Sequence, residues 1–331
     1  MSTAVLDDQA TDRQSPEVGQ TRDHAGPAQQ VRPEDRLRAE TTAVRLHIRW
    51  PGIRKTLDST QKQRAADAFD ADLKSLSAAK KLLDTSHPRF RDVSKLRTRA
   101  VTYWRGITLP YIESGVRLIR RDDLAGFDVQ MTSIRSELVD AVALLDQSYG
   151  ELIQQARQRL GDLFSPEDYP TSLIDLFAIS WDYPSTNPPD YLRQVAPELY
   201  QAECLRVQQR FSEAVQLAEA AFAEELTSLV NHLAEKLSGE QDGKPKVFRD
   251  SAVTNLLEFF DRFQHLNINS SEQLDQLVQQ ARGVISGVGP QQLRDQSSLR
   301  NQVADRLAEV SSSLDNWMSD RPRRSILRRP R

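Results

Sequence analysis

From Ile134 onward, apolar residues return every three or four positions: Ile134, Leu138, Val142, Leu145, Tyr149, Leu152, Ala156, Leu160 and Leu163. That spacing winds them onto one stripe of an α-helix, while Arg135, Glu137, Gln154, Arg157 and Arg159 fall elsewhere. The pattern predicts one long helix starting near Phe127. It loosens at Gly161, and Ser165-Pro166-Glu167-Asp168 followed by Tyr169-Pro170 predicts an elbow, because Ser caps, Pro fits the first helical position and the second Pro interrupts again. After a short apolar run at Leu176 to Tyr183, Asn187-Pro188-Pro189 opens a longer helix in which Pro197 predicts a kink or a restart. Uninterrupted, Pro188 to Ser238 would span roughly 75 Å. From Phe211 the stripe Ala214, Ala218, Phe222, Leu226, Leu229, Leu233 and Leu237 is nearly heptad-spaced. Such a seam calls for an antiparallel or coiled-coil partner, within the chain or in a homo-oligomer.

A different period governs Val44-Arg45-Leu46-His47-Ile48-Arg49-Trp50, which alternates apolar and polar ahead of Pro51-Gly52 and predicts a β-strand. A strand needs partners. Gly115 to Ile119 and Leu176 to Tyr183 are the candidates, the latter with Phe177, Ile179, Trp181 and Tyr183 on one face. His47 alternates onto the charged side between two arginines, where a lone histidine reads as a surface or pairing residue. Asp58 or Ser59 caps a predicted helix running through Phe69, Leu73, Leu76 and Leu82-Leu83, and a second follows from Pro88 to Arg105. Gly239 to Pro245 reads as a surface turn. Ser251 to Phe263, Ser271 to Val284 and Pro290 to Trp317 complete the helical pattern. The fold class predicted is mainly α: an elongated bundle or coiled coil of long helices with a small two- or three-stranded β-sheet.

Composition divides the chain into three parts. Residues 1–40 have few large apolar groups beyond Val5 and Leu6, too few to offset chain entropy, and are expected as a disordered arm. Residues 41–319 carry the periodic segments and are expected as one mainly helical domain. Residues 320–331 are expected as a basic tail: from Arg321 to Arg331 it holds six arginines and no acid, and it contacts anions or offers a short docking site around Ile326-Leu327, or is inert. Glycine is scarce at 13 residues and 27% of positions are charged, as in a helix-rich soluble protein. Cys204 is the only cysteine of 331 residues, so it forms no internal disulfide and reads as a small apolar residue on a helix. No apolar run approaches membrane-spanning length and the polar start lacks a secretory core, so a cytoplasmic location is expected.

The net charge of -3 hides local structure. Between Arg54 and Arg105, thirteen Lys or Arg face six Asp, a balance of about +7 in the predicted helical hairpin. Cations interleaved with Phe90, Tyr103 and Trp104 suit a nucleic-acid backbone, with Arg91, Lys95 and Arg99, and with Arg323, Arg324, Arg328 and Arg329 of the tail, as candidate contacts. The competing reading is a solvated helix face whose aromatics point inward. Spacing favours it, since Phe90, Val93, Leu96, Ala100 and Tyr103 form one stripe with the cations off it. Five scattered histidines give no zinc spacing, and no nucleophile elbow, phosphate loop or dinucleotide fingerprint occurs. No cofactor or metal is therefore expected. Carboxylates such as Glu113 and Asp168 sit near caps and turns, where short acids serve the backbone. An acid pair built from Glu113 and Asp168 is the one enzymatic reading.

Thr108-Leu109-Pro110 with Gly115-Val116-Arg117-Leu118, then a helix with Tyr149, then Leu160-Gly161-Asp162-Leu163-Phe164 with Asp168-Tyr169-Pro170 and Phe177, carry a resemblance. Together with Trp50-Pro51-Gly52-Ile53-Arg54-Lys55, they resemble an uncharacterised, mostly helical family of bacterial, phage and mobile-element proteins classed as a domain of unknown function. The resemblance covers about residues 42–310; Pro51 stands where that family has a small polar residue. It implies genes near MoxR-type AAA+ ATPases and von Willebrand A-type proteins, and hence a protein partner, with no catalytic residue to carry over. The leading expectation is a non-enzymatic scaffold that binds a protein, such an ATPase being the candidate the resemblance implies, through its long helices. Trp50, Arg54, Lys55, Arg105, Arg117, Asp168 and Tyr169 are its candidate interaction residues. The alternative is a nucleic-acid-associated protein.

Overall fold

Pro33–Glu40 forms helix α1, because Pro occupies its first turn beside Glu34 and Asp35, which suit the positive end of the helix dipole. The structure, a computed structural model, describes residues 31–238, 240–241, 244–246 and 248–319. The arm predicted for residues 1–40 is thus corrected over its last turns: Leu37 is buried, and the Thr41 hydroxyl donates to its carbonyl at 2.6 Å. The rest of that arm, and the tail from residue 320, lie outside the described residues. Strand β1, Thr41–Arg49, follows directly, then β2, Arg54–Thr56; α2, Ser59–Ala68; β3, Ala79–Lys81; α3, Pro88–Gly106; β4, Thr108–Pro110; and β5, Val116–Arg120. Next come α4, Leu124–Gln147; α5, Tyr149–Leu160; β6, Ala178–Asp182; α6, Leu192–Val195; and α7, Pro197–Ser238. A two-rung ladder of β7, Glu240–Gln241, and β8, Lys244–Pro245, leads to α8, Ser251–Leu266; α9, Glu272–Ile285; α10, Pro290–Asp295; and α11, Ser297–Ser319.

The sheet is antiparallel in the order β4-β5-β1-β6. Its three predicted members are present, and β4 adds a fourth that three residues of sequence were too short to signal. Alternation along β1 decides the architecture. Ala43 with its neighbours Leu118 and Val116 faces one way, while Val44, Ile119 and Ile179 face the other, and each set joins a different apolar core. On the first face lie α1, α7, α8, α9 and α11; on the second lie α3, α4 and α5. One thin sheet therefore divides two helical layers.

The long helix α7 has 42 residues, about 63 Å at 1.5 Å each, and it restarts at Pro197 as the sequence predicts. Its stripe meets α11 antiparallel, since Ser311 bonds Asn231 while Arg300, nearer the start of α11, bonds Leu237 at the end of α7. Phe222 packs edge-on against Phe259 and Phe263 of α8, with ring centroids 6.2 and 5.0 Å away.

Several predicted helices are shorter than their patterns. The helix expected through Leu83 stops at Ala68, where Asp70 takes a positive φ of 51° and Ala79–Lys81 is drawn into pairing with β2. The basic segment is therefore not a helical hairpin. The Ile134 to Leu160 stripe is divided at Ser148, and the Pro290 to Trp317 pattern at Gln296. Periodicity survives such breaks because the apolar face continues across them. Among the described residues, no helix is long and apolar enough to cross a membrane.

Candidate functional site

Two of the predicted interaction residues meet at the elbow. Short 3₁₀ turns at Gly161–Leu163 and Pro166–Asp168 lay the chain against the β2–β3 ladder. There the Lys55 ammonium donates to Asp168 Oδ1 at 2.5 Å, and Lys80 Nζ lies 2.6 Å from Oδ2 and donates to the Leu163 carbonyl at 2.7 Å. Asp168 and Lys80 are buried; Lys55 is half-exposed. Burial pushes the Asp168 carboxyl up, but hydrogen bonds and charge from Lys55 and Lys80 outweigh it and hold the group below its usual range. Tyr169 completes the clamp by donating to the Leu82 carbonyl at 3.0 Å and stacking on Phe164. Lys80, counted only as one cation among thirteen, is the member that sequence reasoning missed.

Trp50 stands edge-on to Phe177 at 4.8 Å with the Arg97 guanidinium over its ring. Arg54 pairs in register with Lys81 and its side chain is exposed. Arg105 and Arg117 form a separate group. Arg117 donates to the Thr108 hydroxyl at 2.6 Å and carbonyl at 2.7 Å, and its guanidinium lies over Trp104. Burial, with the cations Arg105 and Arg262 nearby, lowers its pKa to about 10. It is a bolt between β4, β5 and the end of α3. Replacing Arg117 by Leu is expected to lower stability by about 1–3 kcal/mol, since the Thr108 carbonyl loses a charged donor; urea unfolding measures it.

Glu113 and Asp168 do not form an acid pair. Glu113 is bridged to Arg45 on β1 at 3.2 Å, whereas Asp168 is held by its two lysines. His47 sits 3.0 Å from Asp182, the pairing role expected of it.

On the outer face of α3, Arg91, Ser94, Lys95, Thr98 and Thr102 line an open groove of about 680 Å³. Two of the three predicted phosphate contacts there are already engaged: Lys95 with Asp92 at 2.9 Å, and Arg99 with Glu137. Arg91 is exposed. Arg323, Arg324, Arg328 and Arg329 lie outside the described residues.

The start of α7 is also little covered. No residue from Pro197 to Arg206 is buried, and Val207 is the first that is. Leu199 and Leu205 are 46% and 68% exposed, and just before them Tyr191 and Val195 are 65% and 78% exposed. The heptad-like stripe begins only at Phe211, so these leucines fell off the pattern that predicted the core; their signal was an apolar residue without a place on it. No protein-family model, no curated protein and no solved structure matches this chain.

Proposed function

We propose that this chain is a non-enzymatic interaction protein whose paired helical layers hold the start of α7 out to a protein partner. One observation carries the reading: four large apolar side chains, Tyr191 and Val195 at the two ends of α6 and Leu199 and Leu205 on the first turns of α7, are exposed in a stretch from Tyr191 to Arg206 that buries no residue. Burying one leucine or valine is worth about 1.5–3 kcal/mol, so such a cluster left in water marks a surface that gains by being covered. The family resemblance adds support for a protein partner over a catalytic role.

The test uses the full chain carrying Leu199→Glu and Leu205→Glu, compared with wild type in pull-downs from nuclease-treated extract of the native host. A protein partner identified by mass spectrometry on wild type, and lost on the variant, is the expected result. Equal recovery on both overturns the reading. A second reading keeps one specific support, the exposed Arg91 in the α3 groove, which suits a nucleic-acid backbone. Its signature is affinity that falls steeply between low and moderate salt, whereas an apolar helix contact changes little.

A further inference from the structure

The exposed start of α7 has an internal symmetry that names an occupant. Ala202 lies nine residues before Phe211, about two and a half turns at 3.6 residues per turn, and so faces away from the core that Phe211 enters. Leu199 and Leu205 stand three residues either side of it. Glu198 and Arg206 stand four residues either side, one acid and one base, both exposed.

We infer that this face binds a second copy of the same chain, the two α7 helices crossing antiparallel about a two-fold axis at Ala202. This deepens the interaction reading above and rests on it. Under that symmetry a residue k places before Ala202 meets the residue k places after it in the other copy. Leu199 then covers Leu205 of the second copy, and Glu198 meets Arg206 of the second copy, each contact occurring twice. The small side chain of Ala202 at the axis lets the two backbones approach. Arg206 already touches Glu203 within its own helix, and the second copy adds a second carboxylate to the same guanidinium. Farther out, Val195 lies on α6, beyond the break before Pro197, so the apolar part of the seam is confined to the first turns of α7. The charge pairs at its rim set the register, which a stripe of leucines alone would leave free to slip.

Sedimentation equilibrium on the full chain tests this. Wild type is expected as a reversible dimer, and the Leu199→Glu, Leu205→Glu variant as a monomer. Glu198→Arg alone sets arginine against arginine twice per dimer, and Arg206→Glu alone sets glutamate against glutamate; each is expected to weaken the dimer at least about tenfold. The double exchange Glu198→Arg, Arg206→Glu restores opposite charges in the same register, and recovery to within about threefold of wild type is expected. Circular dichroism checks that these exposed substitutions leave the helices intact. A crosslink through Ala202→Cys in a Cys204→Ser background reports the axis directly, because only a residue on a two-fold meets its own counterpart. A monomeric wild type, singles without effect, or a double exchange no better than the singles each overturns the inference. If the wild type is monomeric yet the leucine variant still loses a different protein, only the second-copy occupant falls. If the leucine variant alters neither association, the interaction reading falls with it.

Discussion

Replacing Asp168 by Ala is expected to lower the unfolding free energy by about 3–5 kcal/mol, because it leaves the Lys80 ammonium buried without its carboxylate. Lys80 would keep only its bond to the Leu163 carbonyl, and the elbow would lose the charge that holds it against β2 and β3. Combining Asp168→Leu with Lys80→Met removes both buried charges together, and most of the loss is expected to return, since a paired charge replaced by apolar groups of similar size is close to neutral. Equilibrium unfolding in urea measures both. If the single and double variants lose equal stability, packing and not charge holds the elbow.

The same carboxylate predicts a pH dependence with a definite sign. Its folded pKa is depressed below the ordinary 3.8, so the folded state holds the proton less readily than the unfolded chain. Its contribution is therefore complete above the unfolded value and is lost as pH falls through the folded one. The stability difference between wild type and Asp168→Asn should be constant near neutrality and shrink as pH falls below about 4. A difference that grew in acid would contradict the arrangement.

Arg300 is expected to be equally costly to remove, for a different reason. Only 7% exposed, it meets no carboxylate among the described residues; its Nε donates to the Leu237 carbonyl at 2.7 Å and its Nη2 to those of Lys236 and Lys246 at 2.8 Å each. The last carbonyls of a helix have no partner within it and carry the negative end of its dipole. One guanidinium from α11 thus caps α7 and ties the chain just after it. Arg300→Leu leaves those acceptors buried and unmatched, with an expected loss of about 3–5 kcal/mol in thermal or urea unfolding. Arg300→Lys keeps the charge but not the fork of donors, and an intermediate loss is expected. Hydrogen exchange should show the final turns of α7 opening first in both variants.

Periodicity alone was enough to place α3, α4 with α5, α7, α8, α9 and α11, and to find β1, β5 and β6, because one-sided burial leaves the same repeat in any chain that adopts it. Pro197 marked its restart for an equally local reason: a ring that cannot donate. The functional candidates were legible in part. Lys55 and Asp168, far apart in sequence, were both singled out and do meet. Tyr169 belongs with them. Arg105 and Arg117 belong to a different place, and Trp50 serves packing with Phe177.

What the linear order of residues determined about this protein is its local grammar: where helices and strands run, which face of each is dry, and where proline and glycine interrupt. Only the tertiary structure decided which dry faces meet. That β1 sends Ala43 into one core and Val44 into another follows from pairing with β5 and β6 at one register, which no single strand encodes. The choice of Lys80 over its neighbour Lys81 to face Asp168, and of Arg300 to close α7, is likewise long-range, since a buried charge is tolerable only where distant partners converge on it. The exposure of Leu199 and Leu205 is of the same kind, because a leucine's place on a helix is local, but whether anything covers it depends on every other element of the fold.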